Sequence, residues 1–362
     1  MATTFKTFLN NDMVTSKTLL HEAIPLTGGL TSGTYADSNI KNYSHGMFQS
    51  VFDYPFLSSS ANHLYDITLG YSTASLSSST SVQNDKKVNL YYQMAQTLMG
   101  YSFDSTGKST IRLFDKDGNF ATAADDQLNE VFFLNFSRML SKDEIQKGTF
   151  SLTLLTGGMH DVGTTNAHFL ELRDTNAQND FRINSPAGEY GILKTFNSSS
   201  DGHFTMNAGV HQGAVSAGLI FYQAGIAVIT ASVFSNFAAS AFGHSAANET
   251  VTNVLTASSI TGAVDSFRSR VKNISFNNTT ELNSTIYFCR ANHNEFNYSS
   301  NPTYLSSSQI VVKSKGEDTP VSYITSIGLY SADNELLAVA KLSEPIRKDP
   351  TTELTFRVRL DY

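Results

Sequence analysis

Apolar and polar residues alternate most clearly in the last nine residues of the chain. The apolar positions are Leu354, Phe356, Val358, Leu360 and Tyr362, and the polar positions between them are Thr355, Arg357, Arg359 and Asp361. Successive side chains of a strand point to opposite faces of a sheet, so this alternation predicts a strand with one packed and one solvated face. We therefore expect the C-terminal residues to be tied into a sheet.

A β-hairpin is predicted shortly before this strand. The segments Tyr323–Tyr330 and Glu335–Leu342 are rich in apolar and β-branched residues, and they flank a four-residue loop, Ser331–Asn334. Together with the last strand, this hairpin is typical of a β-sandwich.

The most apolar stretch of the chain, Ala217–Phe234, predicts a second hairpin. Its 18 residues carry no charged side chain and come near the length of a membrane-spanning helix. Gln223 and Gly225 near its centre, its β-branched residues and the lack of flanking positive charge argue against such a helix. We predict two buried strands, Gly218–Tyr222 and Ile226–Phe234, and no membrane span.

Helical periodicity occurs in two regions. A polar run at 72–85 predicts a surface loop, and Asp85 is placed to cap a helix near residues 86–99 that Gly100 ends. The apolar residues of this helix recur at spacings of three and four: Val88, Tyr91, Tyr92, Ala95, Leu98 and Met99. The run Thr250–Val271 predicts a second helix, although its many Thr and Ser residues have low helix propensity.

Shorter patterns predict further strands and turns. Strands are expected at His63–Tyr71, Val131–Phe136 and Thr149–Leu155. Ser109–Phe114 and Phe120 flank an Asp-Gly turn at Asp115–Gly118, which favours a hairpin. Ser141–Glu144 predicts a capped helical turn, because Glu144 follows the capping serine by three residues.

These elements predict a mainly β fold of β-sandwich-like domains with one or two helices and an extended N-terminal arm. Residues 1–62 have scattered apolar positions and turn clusters, and we interpret them as the loop-rich arm. Residues 63–248 are expected to form a mainly β domain containing the helix near 86–99. Residues 249–362 are expected to form a C-terminal β-sandwich-like domain led by the second helix.

Composition and charge exclude several classes of protein. The 362 residues include 25 Lys and Arg against 32 Asp and Glu, for a net charge of −7. An acidic chain without a basic cluster is a poor nucleic-acid binder, because phosphate contacts need Lys and Arg on one face. The single cysteine, Cys289, excludes a disulfide scaffold and a zinc site built on several cysteines. The N-terminal residues lack the apolar stretch of a secretory signal, so we expect no export by that route.

Two loops have some features of ligand-binding motifs. Asp104–Ser109 resembles the end of a phosphate-binding loop, but the first glycine of the motif is missing and a strand is predicted to follow. Asp115–Asn119 offers carboxylates that suit calcium, but Gly and Glu do not occupy the sixth and twelfth positions of an EF-hand loop. An irregular calcium site with Asp125 and Asp126 stays open as an alternative.

The remaining reactive side chains suggest no catalytic site. The nine histidines, which include His160, His203, His211 and His293, show no metal-ligand spacing, and no nucleophile elbow occurs. Cys289 lies in a predicted strand, where a buried inert thiol is favoured over a pair with His293. We therefore predict no catalytic, cofactor-binding or metal-binding residues, no cofactor, and a protein that is not an enzyme.

Three segments resemble virion structural proteins of contractile-tailed bacteriophages. They are Phe288–Tyr304 (FCRANHNEFNYSSNPTY), Tyr323–Ile346 (YITSIGLYSADNELLAVAKLSEPI) and Gly218–Thr230 (GLIFYQAGIAVIT). The second is similar to hairpins in the β-domains of phage tail, baseplate and fibre-attachment proteins. The resemblance covers residues 218–362 in patches and carries no catalytic signature.

The resemblance implies a structural subunit of a tailed-phage virion, in the baseplate or tail, that assembles in the host cytoplasm. Its partners would be other virion structural proteins and further copies of itself. A chain with only 16% charged residues, against about 25% in an average soluble domain, suits repeated subunit contacts.

Three alternatives stay open. The protein could be a neck or capsid component of the virion. It could also be an adhesion module for host-surface glycans, for which 16 Tyr and 25 Phe supply aromatic rings although Trp is absent. A hydrolase would need two carboxyl groups about 5–10 Å apart, drawn here from distant strands.

Overall fold

A computed structural model describes most of the chain. The described residues are 5–25, 37–73, 81–103, 105–120, 127–155, 169–196, 215–234, 251–257, 259–297, 305–306, 309–310 and 320–362. The strands are β1 (Met13–Pro25), β2 (Ile40–Asn42), β3 (Gln49–Phe52), β4 (His63–Tyr71), β5 (Tyr101–Phe103), β6 (Ser109–Ile111), β7 (Glu130–Phe136), β8 (Glu144–Ile145), β9 (Ser151–Leu155), β10 (Phe169–Arg173), β11 (Phe181–Ser185), β12 (Gly188–Phe196), β13 (Ser216–Phe221), β14 (Ile226–Thr230), β15 (Val271–Ala291), β16 (Leu305–Ser306), β17 (Gln309–Ile310), β18 (Ser322–Tyr330), β19 (Leu336–Lys348) and β20 (Leu354–Asp361). The helices are α1 (Val82–Leu98), α2 (Arg138–Ser141), α3 (Val251–Ala257) and α4 (Ile260–Arg268). The predicted mainly β class is confirmed.

The chain divides into two compact units. Unit 1 comprises residues 1–19 and 281–362, and unit 2 comprises residues 20–280. These boundaries differ from those predicted at 62/63 and 248/249, because strands far apart in sequence pair with one another. The prediction of a loop-rich arm over residues 1–62 is also wrong for the described part, since β2 and β3 lie beside β4 in the order β4-β3-β2.

The sheet of unit 2 packs on both faces. Along β7, Phe132, Leu134 and Phe136 belong to one apolar cluster, whereas Val131 and Phe133 belong to the other. Both sets are fully or almost fully buried, as period-two alternation requires of a strand covered on each side. The strands β4, β7, β14, β13 and β12 lie side by side, and all neighbouring pairs are antiparallel.

The helices cover opposite faces of this sheet. Tyr91 and Leu98 of α1 belong to one cluster, and Val264 and Phe267 of α4 belong to the other. The ring of Phe267 stacks on that of Phe132 at a centroid distance of 4.6 Å. Unit 2 therefore supplies its own core.

The hairpin predicted at Ala217–Phe234 is confirmed, but its second strand ends at Thr230 rather than at Phe234, because Ala231–Phe234 form a 3-10 helical turn. β13 pairs with β14 from Gly218↔Ile229 to Phe221↔Ile226, and Gly225 in the connecting turn has φ +67°. None of the helices in the described chain combines the length and the hydropathy needed to cross a membrane. The strands predicted at β4, β7 and β9 are also present, with bounds within two residues.

The predicted helices need correction at their ends. α1 begins at Val82 rather than near 86, because Ser81 is its cap: the Ser81 hydroxyl accepts a hydrogen bond from the Asn84 amide (3.3 Å). The predicted end is right, since Gly100 follows with φ +74° and donates its amide to Ala95 O (3.1 Å). The second predicted helix is split into α3 and α4, so the described chain has four helices rather than one or two.

Two predicted turns are wrong. Ser141 ends the short helix α2 instead of capping a new one, and Lys142 follows with φ +55° before Glu144 enters β8. In the described residues, Ser109–Phe114 and Phe120 do not pair across Asp115–Gly118: β6 pairs with β5 on its N-terminal side, and Asp115 forms an isolated antiparallel bridge with Gln127.

Candidate interaction surface

Unit 1 is built around the C-terminal half of β15. On one side β20 pairs with it antiparallel, from Ser284↔Asp361 to Ala291↔Leu354. On the other side lies β1, where Lys17 Nζ is 2.5 Å from the Glu281 carboxylate. The predicted alternation is confirmed within β20, because its apolar side chains are buried or half-buried and its polar ones are exposed. Tyr362, the last of the predicted apolar positions, follows β20 and is exposed.

Polar contacts fix the N-terminal segment of unit 1 on these strands. Asp12 is buried, accepts the Leu9 amide (2.9 Å), and forms an ion pair with Arg290. The bond from Leu9, and then the one from Arg290, lower the pKa of Asp12 below its ordinary value. Lys6 forms an ion pair with Glu295 nearby. Residues 5–12 are thereby held in place without a secondary structure of their own beyond a single turn at Asn10–Asp12.

The second part of unit 1 is the hairpin of β18 and β19, which the sequence predicted. Its register runs from Ser322↔Lys348 to Tyr330↔Leu336, and the loop closes through bonds between Ser331 and Glu335. Lys348 ties down the base of the hairpin: its buried ammonium donates to Asn297 Oδ1 (2.7 Å) and to two backbone carbonyls.

One face of this hairpin carries a cluster of exposed apolar side chains. Val339 lies opposite Gly328 and Leu336 lies opposite Tyr330, so all four positions belong to the same face. A side chain at Gly328 would meet the Tyr330 ring at 2.8 Å and Leu336 at 3.2 Å, which shows that both cover the glycine. The ring of Phe5 contacts that of Tyr330 at a centroid distance of 4.8 Å. We call Phe5, Tyr330, Leu336 and Val339 the hairpin patch.

Unit 1 has far fewer buried apolar side chains than exposed ones. In its described residues only Ala291, Leu329 and Val358 are buried, whereas 14 large apolar side chains are exposed. Unit 2 is much larger, yet its described residues expose eight. Neither apolar cluster contains a residue of unit 1. Unit 1 therefore presents apolar surface of the kind that marks an interaction site.

The charges of the two units also differ. Unit 1 has ten Lys and Arg against eleven Asp and Glu in sequence, for a net charge of −1, whereas unit 2 carries the remaining −6. By sequence, unit 1 therefore carries nearly equal numbers of positive and negative side chains, so its net charge repels a partner of like charge less than that of unit 2 does.

The loops considered for ligand binding serve local structure. The buried Asp115 carboxylate accepts the amides of Asp117 (3.2 Å) and Phe120 (2.7 Å), and it thereby holds the turn. Burial raises its pKa despite these bonds. Asp125 and Asp126 lie outside the described residues, and the described ones include no group of three potential metal ligands.

The other predicted positions are placed as follows. Gly107 has φ +80° and strand β6 follows, so the described part of the loop at 104–109 is a turn; Asp104 lies outside the described residues. Cys289 is half-buried on β15, and burial raises the pKa of its thiol. His293 is exposed and contacts Glu353 (Nδ1–Oε1 3.3 Å). His160, His203 and His211 lie outside the described residues.

The apolar pattern of the sequence did not reveal the hairpin patch, because it shows neither the bulge that brings Leu336 to the face of Val339 nor what covers that face. Comparison of the chain with protein-family models, with curated proteins and with solved structures gives no match. The surface of unit 1 is thus the feature of the described chain on which a functional interpretation rests.

Proposed function

We propose that this protein is a structural subunit of a tailed-phage virion, placed in the baseplate or tail, and that unit 1 mediates its contacts with other subunits. The observation that carries the proposal is the imbalance within unit 1 between three buried and 14 exposed apolar side chains. The free energy falls when another protein covers such a surface, because apolar side chains are removed from water. Unit 2 buries its own apolar core, whereas unit 1 leaves apolar side chains for a partner to cover. This arrangement suits a component of an assembly.

The resemblance noted in the sequence supports the same function. The segment Tyr323–Ile346 that resembles phage tail and baseplate proteins comprises nearly all of β18 and β19, which form the exposed hairpin. The segment Phe288–Tyr304 begins on β15, beside β20. Two of the three resembling segments thus fall on unit 1, together with the exposed apolar surface, and the third, Gly218–Thr230, lies in unit 2. A neck or capsid position would use this surface in the same way.

A second candidate is an adhesion module that binds host-surface glycans. Tyr323 and Tyr362 of unit 1 are exposed by 64% and 70%, and exposed aromatic rings are able to stack on sugar rings. A glycan array with the full chain tests this candidate, and Tyr323→Ala and Tyr362→Ala should abolish any binding it shows.

Mass spectrometry of purified particles tests the proposed function. The phage that encodes this chain is propagated, its particles are purified on a density gradient, and their proteins are quantified. The proposal predicts this chain among the particle proteins at a copy number that matches a symmetric assembly. Particles that lack the chain would contradict it.

A further inference from the structure

We propose that the hairpin patch binds the same patch of a second copy of this chain. The inference rests on the proposed assembly role of unit 1, and it names the partner. The contact would be isologous: both copies use the same surface, and every contact between two residues occurs twice, once on each side of a two-fold axis.

The patch has the composition of an interface centre. Two aromatic rings and two aliphatic side chains lie together, and Tyr330 and Leu336 close over Gly328. Aromatic side chains of this kind are enriched at the centres of interfaces, and charged ones are depleted there. Leu337, at the bulge between Leu336 and Ala338, is exposed by 68% and adds to the apolar surface of β19.

Charge complementarity points to a second copy as the partner. Along β19 the apolar positions are bounded by Glu335 at the loop end and by Lys341 on the other side. Both are exposed, and neither takes part in an ion pair in the described chain. A two-fold axis near Ala338 places Glu335 of one copy opposite Lys341 of the other, twice per contact. The patch is therefore complementary to itself.

The strand edges and the net charges favour the same partner. In the described chain β18 and β19 pair only with each other, so the outer edges of this hairpin are available for a neighbour. Unit 2 has a net charge of −6 and unit 1 a net charge of −1. Two copies in contact through unit 1 therefore repel each other less than two copies in contact through unit 2.

Charge reversal in the full chain tests this inference. Lys341→Glu places two like charges across each contact, and Glu335→Lys does the same with the opposite sign. Each single variant should raise the dissociation constant of self-association about tenfold. The double variant Glu335→Lys/Lys341→Glu restores the opposite charges and should recover the wild-type constant. Light scattering after size exclusion, over a concentration series, gives these constants.

A second pair of variants tests the apolar contact. Val339→Glu buries a charge in the contact and should weaken self-association by about a hundredfold or more. Ile183→Glu is the matched control, because Ile183 is exposed by 74% on β11 of unit 2, and it should change nothing. Circular dichroism melts of every variant verify that the fold is kept.

The outcomes separate this inference from the proposed function. A wild-type mass of 39.5 kDa at every concentration, or single and double charge variants with equal constants, would overturn self-association through the patch. A monomer that is nonetheless found in particles would overturn the inference and leave the proposed function intact. A dimer that responds to the variants but is missing from particles would overturn the proposed function and leave self-association through the patch intact.

Discussion

Phe5 and Tyr330 are 325 positions apart in the chain, and their rings meet edge to face at 4.8 Å between centroids and 63° between planes. The pair joins the N-terminal segment to the end of β18. Asp12 and Lys6 hold that segment in place through their ion pairs with Arg290 and Glu295. Phe5 is therefore held against the hairpin. The hairpin patch is therefore assembled from both ends of the sequence.

Removal of the Phe5 ring should weaken unit 1 and leave unit 2 unchanged. Phe5→Ala loses an aromatic pair and part of its apolar contact, which is worth about 1 kcal/mol. Denaturant unfolding of the full chain at low concentration measures the change in the free energy of unfolding. The control is Phe103→Ala in β5 of unit 2, where a ring exposed by 73% is removed, and it should have almost no effect. Equal changes in the free energy of unfolding for the two variants would contradict the stabilising role of Phe5 in unit 1.

The buried ammonium of Lys348 should be required for the hairpin base. Lys348→Met leaves the oxygens of Asn297, His293 and Asp349 without their donor, and we expect a loss of about 2–4 kcal/mol in the stability of unit 1. Lys17→Met, which removes an exposed ion pair with Glu281, should cost less than about 1 kcal/mol. Protease resistance of the β18–β19 hairpin provides the measurement, and unchanged resistance in Lys348→Met would count against the role given to this lysine.

In unit 2, the buried carboxylate of Asp174 should contribute as much to stability as Lys348 does in unit 1. It accepts hydrogen bonds from the amides of Gly148 (2.8 Å) and Phe150 (3.0 Å) and from the hydroxyl of Tyr222 (3.1 Å). Asp174→Ala leaves three donors without this acceptor, and we expect a loss of about 3 kcal/mol. Thermal melts compare it with Asp180→Ala, whose ion pair with Arg182 is partly exposed and should matter little.

The stability of unit 2 should rise with pH above 8 because of Lys87. This lysine is buried, and desolvation lowers its pKa from 10.5 to about 8 although its ammonium donates to Leu255 O (2.5 Å). The unfolded chain binds the proton more tightly than the folded one between these two values, so each increase in pH favours the folded state. The gain from pH 8 to pH 10 should be about 2 kcal/mol.

Urea unfolding at pH 8, 9 and 10 measures this gain. Lys87→Met removes the titrating group, so its stability should lack the increase seen in the natural chain. Buried tyrosines such as Tyr91 act in the opposite direction as the pH approaches 10, because burial raises their pKa. Both proteins contain these tyrosines, so the difference between their pH profiles reports Lys87. Parallel pH profiles for the two proteins would exclude Lys87 as the source.

The sequence allowed the local elements to be predicted better than their arrangement. The hairpins β13–β14 and β18–β19 follow from alternating segments around short turns, and both are present. The cap of α1 was misplaced because Ser81 and Asp85 are both good capping residues, and only the structure shows which one accepts the amide bond. The unit boundaries depend on pairing between β1, β15 and β20, which no local pattern specifies.

The candidate surface was hidden from the sequence for a similar reason. Leu336 and Val339 are three positions apart and share a face because a bulge in β19 shifts the register between Leu329↔Ala338 and Tyr330↔Leu336. The apolar pattern of the sequence does not specify this bulge. In the described chain Phe5 contacts the Tyr330 ring on that face, and Tyr330, Leu336 and Val339 nevertheless stay exposed.

Hydroxyl-radical footprinting of the full chain at low and high concentration tests most directly whether this face is covered when copies assemble. The readout is the oxidation rate of Tyr330 and Leu336, with Tyr54, which is 56% exposed in unit 2, as the internal control. Self-association through the hairpin patch predicts that oxidation of Tyr330 and Leu336 falls severalfold at high concentration while that of Tyr54 stays constant, and that Val339→Glu abolishes the protection. Oxidation of Tyr330 and Leu336 at the same rate at every concentration would contradict it.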